Sequence, residues 1–302
     1  MKPTLYIMMG LSASGKSTKA KELSKEYNAT IVSSDAIRGE FGEVIDQSHN
    51  DEVFKLFHHR IKAGLMNGYN MIADATNISM KSRKSLINYI SNVDCYIVGI
   101  LMTKPVDLCI EHNIYREYPV PHHVIQKQMM NFQVPFYEEG FDEIRIIPYD
   151  NGYTDDDFVN TCKNQMKGFN QNNPHHNEDL LSHCMTVFEE IRKESDNVVL
   201  WDSAMIHDVG KLFTQKTDEN GISHYYQHEN VGAYYLLSHY EELAESFYLL
   251  NKDVLELLFY VNYHMQPMNW NSDKAIDKWK KIFGEDKFNN LLLFNKCDKI
   301  RK

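Results

Sequence analysis

The sequence predicts an α/β domain built on a parallel sheet, followed by an all-α domain. Three observations carry this. Over the first half, short apolar runs rich in strand formers alternate with stretches of helical spacing. Beyond residue 174, apolar residues recur almost only at the three- and four-residue spacing of helices. Between the halves, Asn151 to Pro174 is polar, with Asp155-Asp156-Asp157, Gly168 and Asn170-Gln171-Asn172-Asn173-Pro174. The expected organisation is therefore a first domain at 1–150, a linker at 151–173 and a second domain at 174–302. At 302 residues the chain has room for two cores of roughly 150 residues each.

Thr4 to Met9 is a buried strand that runs into a glycine-containing loop, and Ser17 to Tyr27 is a helix with Ala20 and Leu23 on its inner face. A strand at Ala29–Ser33 completes one βαβ unit. A helix near 51–67, a strand at Asn70–Ala73, a helix at Ser79–Ile90 and a strand at Cys95–Met102 continue the alternation. A helix around Val106–Tyr115 leads to Pro119 and Pro121, then to a helix at His122–Phe132 and a last strand at Glu143–Pro148. In the second half Leu180, Leu181, Cys184, Val187, Phe188 and Ile191 mark one helix. Others fall near Val198–His207, Glu229–His239, Val254–His264 and Lys287–Ile300.

Hydrophobic residues make up 43% and charged residues 25%, a balance that excludes a disordered chain. The net charge of −10 disfavours a broad grip on duplex phosphates but leaves a strand end possible. The five cysteines are scattered without CxxC spacing, so neither a disulfide framework nor a zinc ribbon is expected. With no apolar run near the roughly 20 residues of a membrane span, and no secretory leader, a cytoplasmic location without membrane contact is expected.

Gly10-Leu11-Ser12-Ala13-Ser14-Gly15-Lys16-Ser17 fits G-x-x-x-x-G-K-[ST] between a strand and a helix. Such a loop turns its backbone N–H groups on phosphates at a helix N-terminus. Gly10, Ser12, Ala13, Ser14, Gly15, Lys16, Ser17 and Thr18 are thus expected to bind ATP or another nucleoside triphosphate. Lys16 would meet the β- and γ-phosphates, and Ser17 would hold Mg²⁺. Asp35 and Arg38 follow the second strand, at the carboxyl edge where open sheets bind ligands. There Asp35 could take a proton from an attacking hydroxyl or simply cap a helix, and Arg38 could fork onto a phosphate. Asp74, Thr76 and Asn77 lie at the end of the third strand.

With these motifs, residues 4–148 resemble the polynucleotide kinase branch of P-loop phosphotransferases, which carries Asp-x-x-Arg after the second strand and Asp-x-Thr-Asn after the third. The resemblance implies Asp35 as general base toward a 5′-hydroxyl, Arg38 as clamp on the substrate's phosphate, Asp74 as a substrate-site or magnesium-shell residue, Asn77 at the substrate, and Arg116 as the lid arginine. The lid segment holds one arginine where relatives often hold several.

In the second half, Ile206-His207-Asp208-Val209-Gly210-Lys211 brings a His-Asp pair to a helix end, where Gly210 is expected to stop the helix. With His183 before it and Asp298 far after it, residues 174–302 resemble the HD-domain metal phosphohydrolases. The resemblance implies His183, His207, Asp208 and Asp298 as metal ligands, His228 and His264 as ligands of a second ion, and Lys211 as a substrate-phosphate contact. Imidazole with carboxylate suits Mn²⁺, Fe, Co²⁺, Ni²⁺ or Zn²⁺. His175 and His176 are expected as caps or outer-shell residues, and His224 and His239 as exposed.

Together the halves resemble bifunctional end-healing enzymes, which implies ATP-dependent 5′-phosphorylation, removal of a 2′,3′-cyclic or terminal phosphate, RNA or DNA strand ends as partners, and a separate ligase. The known fusions carry the modules in the opposite order. Two alternatives stay open: a nucleotide or small-molecule kinase fused to an HD nucleotidase, and a regulatory protein that senses a nucleotide.

Overall fold

The computed structural model describes residues 2–42, 44, 48–149, 157–172 and 178–300, and the chain forms two compact units. The first comprises Met1–Met129 and Pro135–Tyr149, the second Met130–Val134 and Asp150–Lys302.

The first unit runs β1 (Thr4–Met9), α1 (Lys16–Tyr27), β2 (Ala29–Ser33), α2 (Ser34–Phe41), α3 (Asn50–Met66), β3 (Asn70–Asp74), α4 (Met80–Tyr89), β4 (Tyr96–Met102), α5 (Val106–Asn113), α6 (His122–Met130) and β5 (Glu143–Ile147). Its strands pair in parallel in the order β2-β3-β1-β4-β5. Helices occupy the crossovers, as a parallel sheet requires. Strand β1 is central, and Leu5, Ile7, Met8 and Met9 are fully buried on its two faces. The loop that follows β1 therefore opens at the middle of the sheet's carboxyl edge. Helix α2, which the sequence pattern leaves out, begins at once after β2 because Ser33 caps it on the Ala36 N–H.

The second unit holds α7 (Phe158–Met166), α8 (Leu180–Glu194), α9 (Val198–Ile206), α10 (Lys211–Thr214), a small hairpin of β6 (Lys216–Thr217) with β7 (Ser223–His224), α11 (His228–Ser238), α12 (Tyr240–Phe247), α13 (Asn251–Tyr263), α14 (Asp273–Phe283) and α15 (Glu285–Asp298). Helix α9 packs against α8 and α13, and α11 against α13, around Val187, Leu200, Leu236 and Phe259.

Three expectations change here. The stretch 157–172 is no bare linker: it contains α7, whose Cys162 and Met166 are fully buried. Residues 130–134 belong to the second unit, because the Val134 N–H donates to Asn262 Oδ1 at 2.8 Å and the Phe132 ring meets Tyr234 edge-on at 5.1 Å. Gly210 does not stop a helix by a left-handed turn: its φ is −63°. A Cβ there would lie 2.0 Å from the His228 carbonyl oxygen and 2.6 Å from the Gly232 nitrogen, so the glycine permits the close backbone approach of α11. All five cysteines are free and buried. No helix among the described residues is long and apolar enough to cross a membrane.

Candidate functional site

In the first unit the phosphate loop is shaped by its glycines. Gly10 has φ +149°, and a Cβ there would stand 2.8 Å from Ser14 Oγ and 3.0 Å from Met102 Cβ. Gly15, at φ +95°, caps α1, and Ala13 is also left-handed at φ +63°. The loop is tied from outside its motif: Gln128 accepts from the Ser12 N–H at 2.8 Å and donates to Ser12 Oγ at 3.0 Å. Ser14 Oγ is buried without a hydrogen-bond partner, and Ser17 and Thr18 are exposed on the first turn of α1. Lys16 is buried and donates to the Leu11 carbonyl, and burial pushes its ammonium down to about 8. The cradle thus holds a buried cation whose charged form bound phosphates would favour further.

Ser17 Oγ donates to Asp74 Oδ2 at 2.9 Å. That bond sets Asp74 beside the hydroxyl expected to hold Mg²⁺. Burial raises the Asp74 carboxyl, against Ser17 and Lys16, which lower it. Asn77 departs from its expected place at the substrate: it is buried, has φ +44°, and donates its amide to the Met8 carbonyl at 2.8 Å. Its work is to hold the loop after β3 to β1. Arg83 supports it from below, donating to the Asn77 carbonyl and, through two nitrogens, to Glu139 at 2.8 and 2.6 Å, a fully buried pair.

Asp35, Arg38 and Arg116 do come together. Arg38 Nη1 donates to Asp35 Oδ1 at 3.0 Å and Nη2 to Asn50 Oδ1 at 2.9 Å, while Arg116 Nη2 lies 3.4 Å from Asp35 Oδ2. One carboxylate thus separates two guanidinium groups. Arg38 Nε and Arg116 Nη1 are buried without hydrogen-bond partners, a costly state that an arriving anion would relieve. Asn50 and Gln128 carry no motif that could have announced them.

In the second unit, α8 supplies His183, the end of α9 His207 and Asp208, the start of α11 His228, the end of α13 His264 and α15 Asp298. All six expected ligands converge. Ligand atoms of His183, His207 and Asp298 lie within 4.8 Å of one another, as do those of Asp208, His228 and His264. Asp208 adjoins both groups: Oδ2 lies 3.5 Å from His183 and 3.4 Å from His207, and Oδ1 lies 3.0 Å from His228 and 3.6 Å from His264. Buried Cys184 adds its sulfur to a third group with His207 and Asp208.

The ring nitrogens are oriented by the backbone. The Nδ1 atoms of His207, His228 and His264 face the carbonyls of Ala204, Tyr225 and Val261 at 2.9, 2.8 and 2.7 Å. A carbonyl only accepts, so each Nδ1 carries a proton, which leaves Nε2 as the atom each ring would offer to an ion. His228 Nε2 and His264 Nε2 are 3.2 Å apart, a contact that needs a proton or a cation between them. His207 Nε2 is likewise buried with no hydrogen-bond partner of good geometry. Nitrogen and carboxylate donors gathered this closely could hold divalent ions.

Burial alone would raise the Asp208 carboxyl, but Lys211 and His207 hold it well below the usual carboxylate range. Burial would also lower His207, and Asp208 outweighs it, so His207 stands well above its ordinary value. Lys211 is buried, 2.7 Å from Asp208 and 2.9 Å from Gln171 Oε1, with its ammonium 5.5 Å from the Tyr225 ring centre. Gln171, from the expected linker, gave no signal in the sequence. His175 and His176 lie outside the described residues. His224 pairs with Asp218 at 3.3 Å, and His239 stacks on Phe158 at 4.5 Å, so neither is simply exposed.

A parallel sheet with a phosphate loop at its centre, a lysine within it and a Ser17–Asp74 pair beside it defines the first unit as a P-loop phosphotransferase. Comparison with known proteins agrees. A family described as "AAA domain" matches residues 5–135. The L-seryl-tRNA(Sec) kinase of Methanococcus maripaludis is 30% identical over 143 residues, which is 46% of this chain and 56% of that protein. The chain thus spans just over half the length of this curated relative. Among solved structures, a Pnkp1/Rnl/Hen1 RNA repair complex chain is 25% identical with a TM-score of 0.39, covering 42% of each chain. A gluconokinase from Sinorhizobium meliloti is 14% identical with a TM-score of 0.36, covering 48% of this chain and 82% of its own.

Proposed function

We propose that the chain is a bifunctional enzyme of nucleic-acid ends: the first unit transfers a phosphoryl group from ATP to a 5′-hydroxyl, and the second hydrolyses a 2′,3′-cyclic or terminal phosphate. For the first activity the carrying observation is Asp35 held between Arg38 and Arg116. Both carboxylate oxygens of Asp35 face arginines. An incoming phosphate draws the guanidiniums toward itself, which frees Asp35 to accept the proton of the attacking hydroxyl. Lys16 and the loop N–H groups neutralise charge on the donor phosphates, and Ser17 would hold the Mg²⁺ that helps orient them. The curated relative is named a kinase of L-seryl-tRNA(Sec), and a substrate attached to a nucleic acid there supports a nucleic-acid substrate here.

For the second activity the carrying observation is the set of inward Nε2 atoms gathered around Asp208. Divalent ions held there would supply acidified water and offset charge on a phosphate. Lys211 holds Asp208 in its ionised form beside them, and the backbone carbonyls keep the imidazoles in the ligating tautomer.

The test is direct. Incubation with labelled ATP and 5′-hydroxyl RNA, 5′-hydroxyl DNA and free nucleosides should label strands in preference to nucleosides, and strands ending in a 2′,3′-cyclic phosphate should be opened when Mn²⁺ or Co²⁺ is added. Labelling of nucleosides alone would refute the strand-end acceptor. Cyclic ends and terminal phosphates both left unchanged with every divalent ion would refute the hydrolase.

A further inference from the structure

Helix α2 carries more than the acid and the clamp. Asp35, Arg38 and Phe41 are spaced by three residues, so Arg38 neighbours both the others in an oblique row that rises about 9 Å and turns about 120° around the helix. Phe41 ends that row 42% exposed. It is not left loose. The ring lies against His49 with centroids 5.6 Å apart and planes 23° from parallel. His49 in turn precedes Asn50, whose side chain accepts from Arg38 Nη2 at 2.9 Å. The stacked pair is therefore joined to the clamp arginine from both sides, through α2 and through the first residue of α3.

This order of groups matches the order of groups along a strand. A hydroxyl at Asp35, a phosphate at Arg38 and an aromatic face beyond it correspond to the 5′-hydroxyl, the next phosphodiester and a following base. The buried, unpartnered Arg38 Nε independently calls for an anion at the middle position. Aromatic faces hold bases of any identity by stacking, so the strand would be gripped without regard to sequence. We propose that Phe41, backed by His49, is a base-stacking subsite of the acceptor, selecting a strand of at least two nucleotides over a nucleoside. This rests on the strand-end acceptor proposed above.

Phosphorylation kinetics of the full chain with a 5′-hydroxyl oligonucleotide would test it. Phe41→Ala should raise KM for the oligonucleotide between about fivefold and a hundredfold, with kcat and KM for ATP nearly unchanged. Phe41→Trp should restore KM. Acceptors made abasic one nucleotide at a time from the 5′ end should show, at one position, wild-type KM rising to that of Phe41→Ala while the variant stays unaffected. In an oligonucleotide carrying 2-aminopurine at that position, fluorescence should be quenched on binding to wild type and not to Phe41→Ala. An unaltered oligonucleotide KM in Phe41→Ala, or an equal loss on every abasic strand, would overturn the subsite while leaving the strand kinase in place. If the wild-type protein labels no strand at all, the acceptor class itself falls, and the subsite with it.

Discussion

Replacing Asp208 by Asn should empty both halves of the metal cluster at once. The reason is geometric: one carboxylate stands 3.0 to 3.6 Å from four imidazoles and 2.7 Å from Lys211. Asparagine keeps the volume but removes the charge that any two ions would share. Losing an outer-shell partner typically costs ten- to a hundredfold in metal affinity, so losing a bridging ligand should cost more than a hundredfold. Asn is preferable to Ala, because its side-chain oxygen can still accept a hydrogen bond from the buried Lys211 ammonium and leaves no cavity. The wild-type protein should also gain stability from its ions: free metal at a hundred times its Kd contributes about 2.7 kcal/mol. In a domain of this size that corresponds to roughly 5–11 °C in Tm. The assay is metal analysis of purified wild type and Asp208→Asn, with melting curves with and without chelator and both enzymatic activities. Wild type should lose that Tm increment on chelation, whereas Asp208→Asn should lack it from the start, with little metal and no hydrolase but full kinase activity. Full metal content with full hydrolase activity in Asp208→Asn would refute the bridging role.

Asp35→Asn should lower phosphorylation by about 10²–10⁴ in rate and leave the hydrolase untouched, as kcat measurements on both reactions would show; undiminished phosphorylation would remove the general base. Nucleotide affinity should be flat below about pH 8 and fall as pH rises beyond it, since burial leaves Lys16 at about 8 in the free protein while bound phosphates favour its charged form. Titrations with a fluorescent ATP analogue from pH 7 to 10 would check this, and constant affinity across that range would contradict it. Asp202 is raised to about 6 by burial, only partly offset by Lys163, so its folded state binds a proton more tightly than its unfolded state. That contribution is present in full below about pH 4 and is lost as pH rises through about 6. Asp202→Asn should therefore stabilise the protein at pH 7.5 by about 1 kcal/mol, after discounting for water at the carboxylate, and by much less at pH 4.5. Equal urea midpoints for variant and wild type at pH 7.5 would refute it.

The sequence by itself determined the parallel sheet and the phosphate loop, and the resemblance of the second half to a known family picked out the six residues that cluster there. Periodicity reports which faces are buried, and a loop bound to one chemistry leaves a fixed spacing in the chain. Helix α2 escaped because a single serine starts it directly from a strand, with no apolar period long enough to register. The linker was misjudged because the polar composition around residues 151–173 conceals α7, whose buried face depends on what packs over it. Gly210 looked like a helix stop, yet only the approach of α11 within 2.0 Å of its missing Cβ explains it. Tertiary structure alone decided that Asn77 braces β1 and that Asp74 serves Ser17. It likewise brought in Asn50, Gln128 and Gln171, which hold the clamp arginine, the phosphate loop and Lys211 from distant positions. Such residues act through one hydrogen bond across a long loop of chain, and that relation has no local period or spacing by which a sequence could announce it.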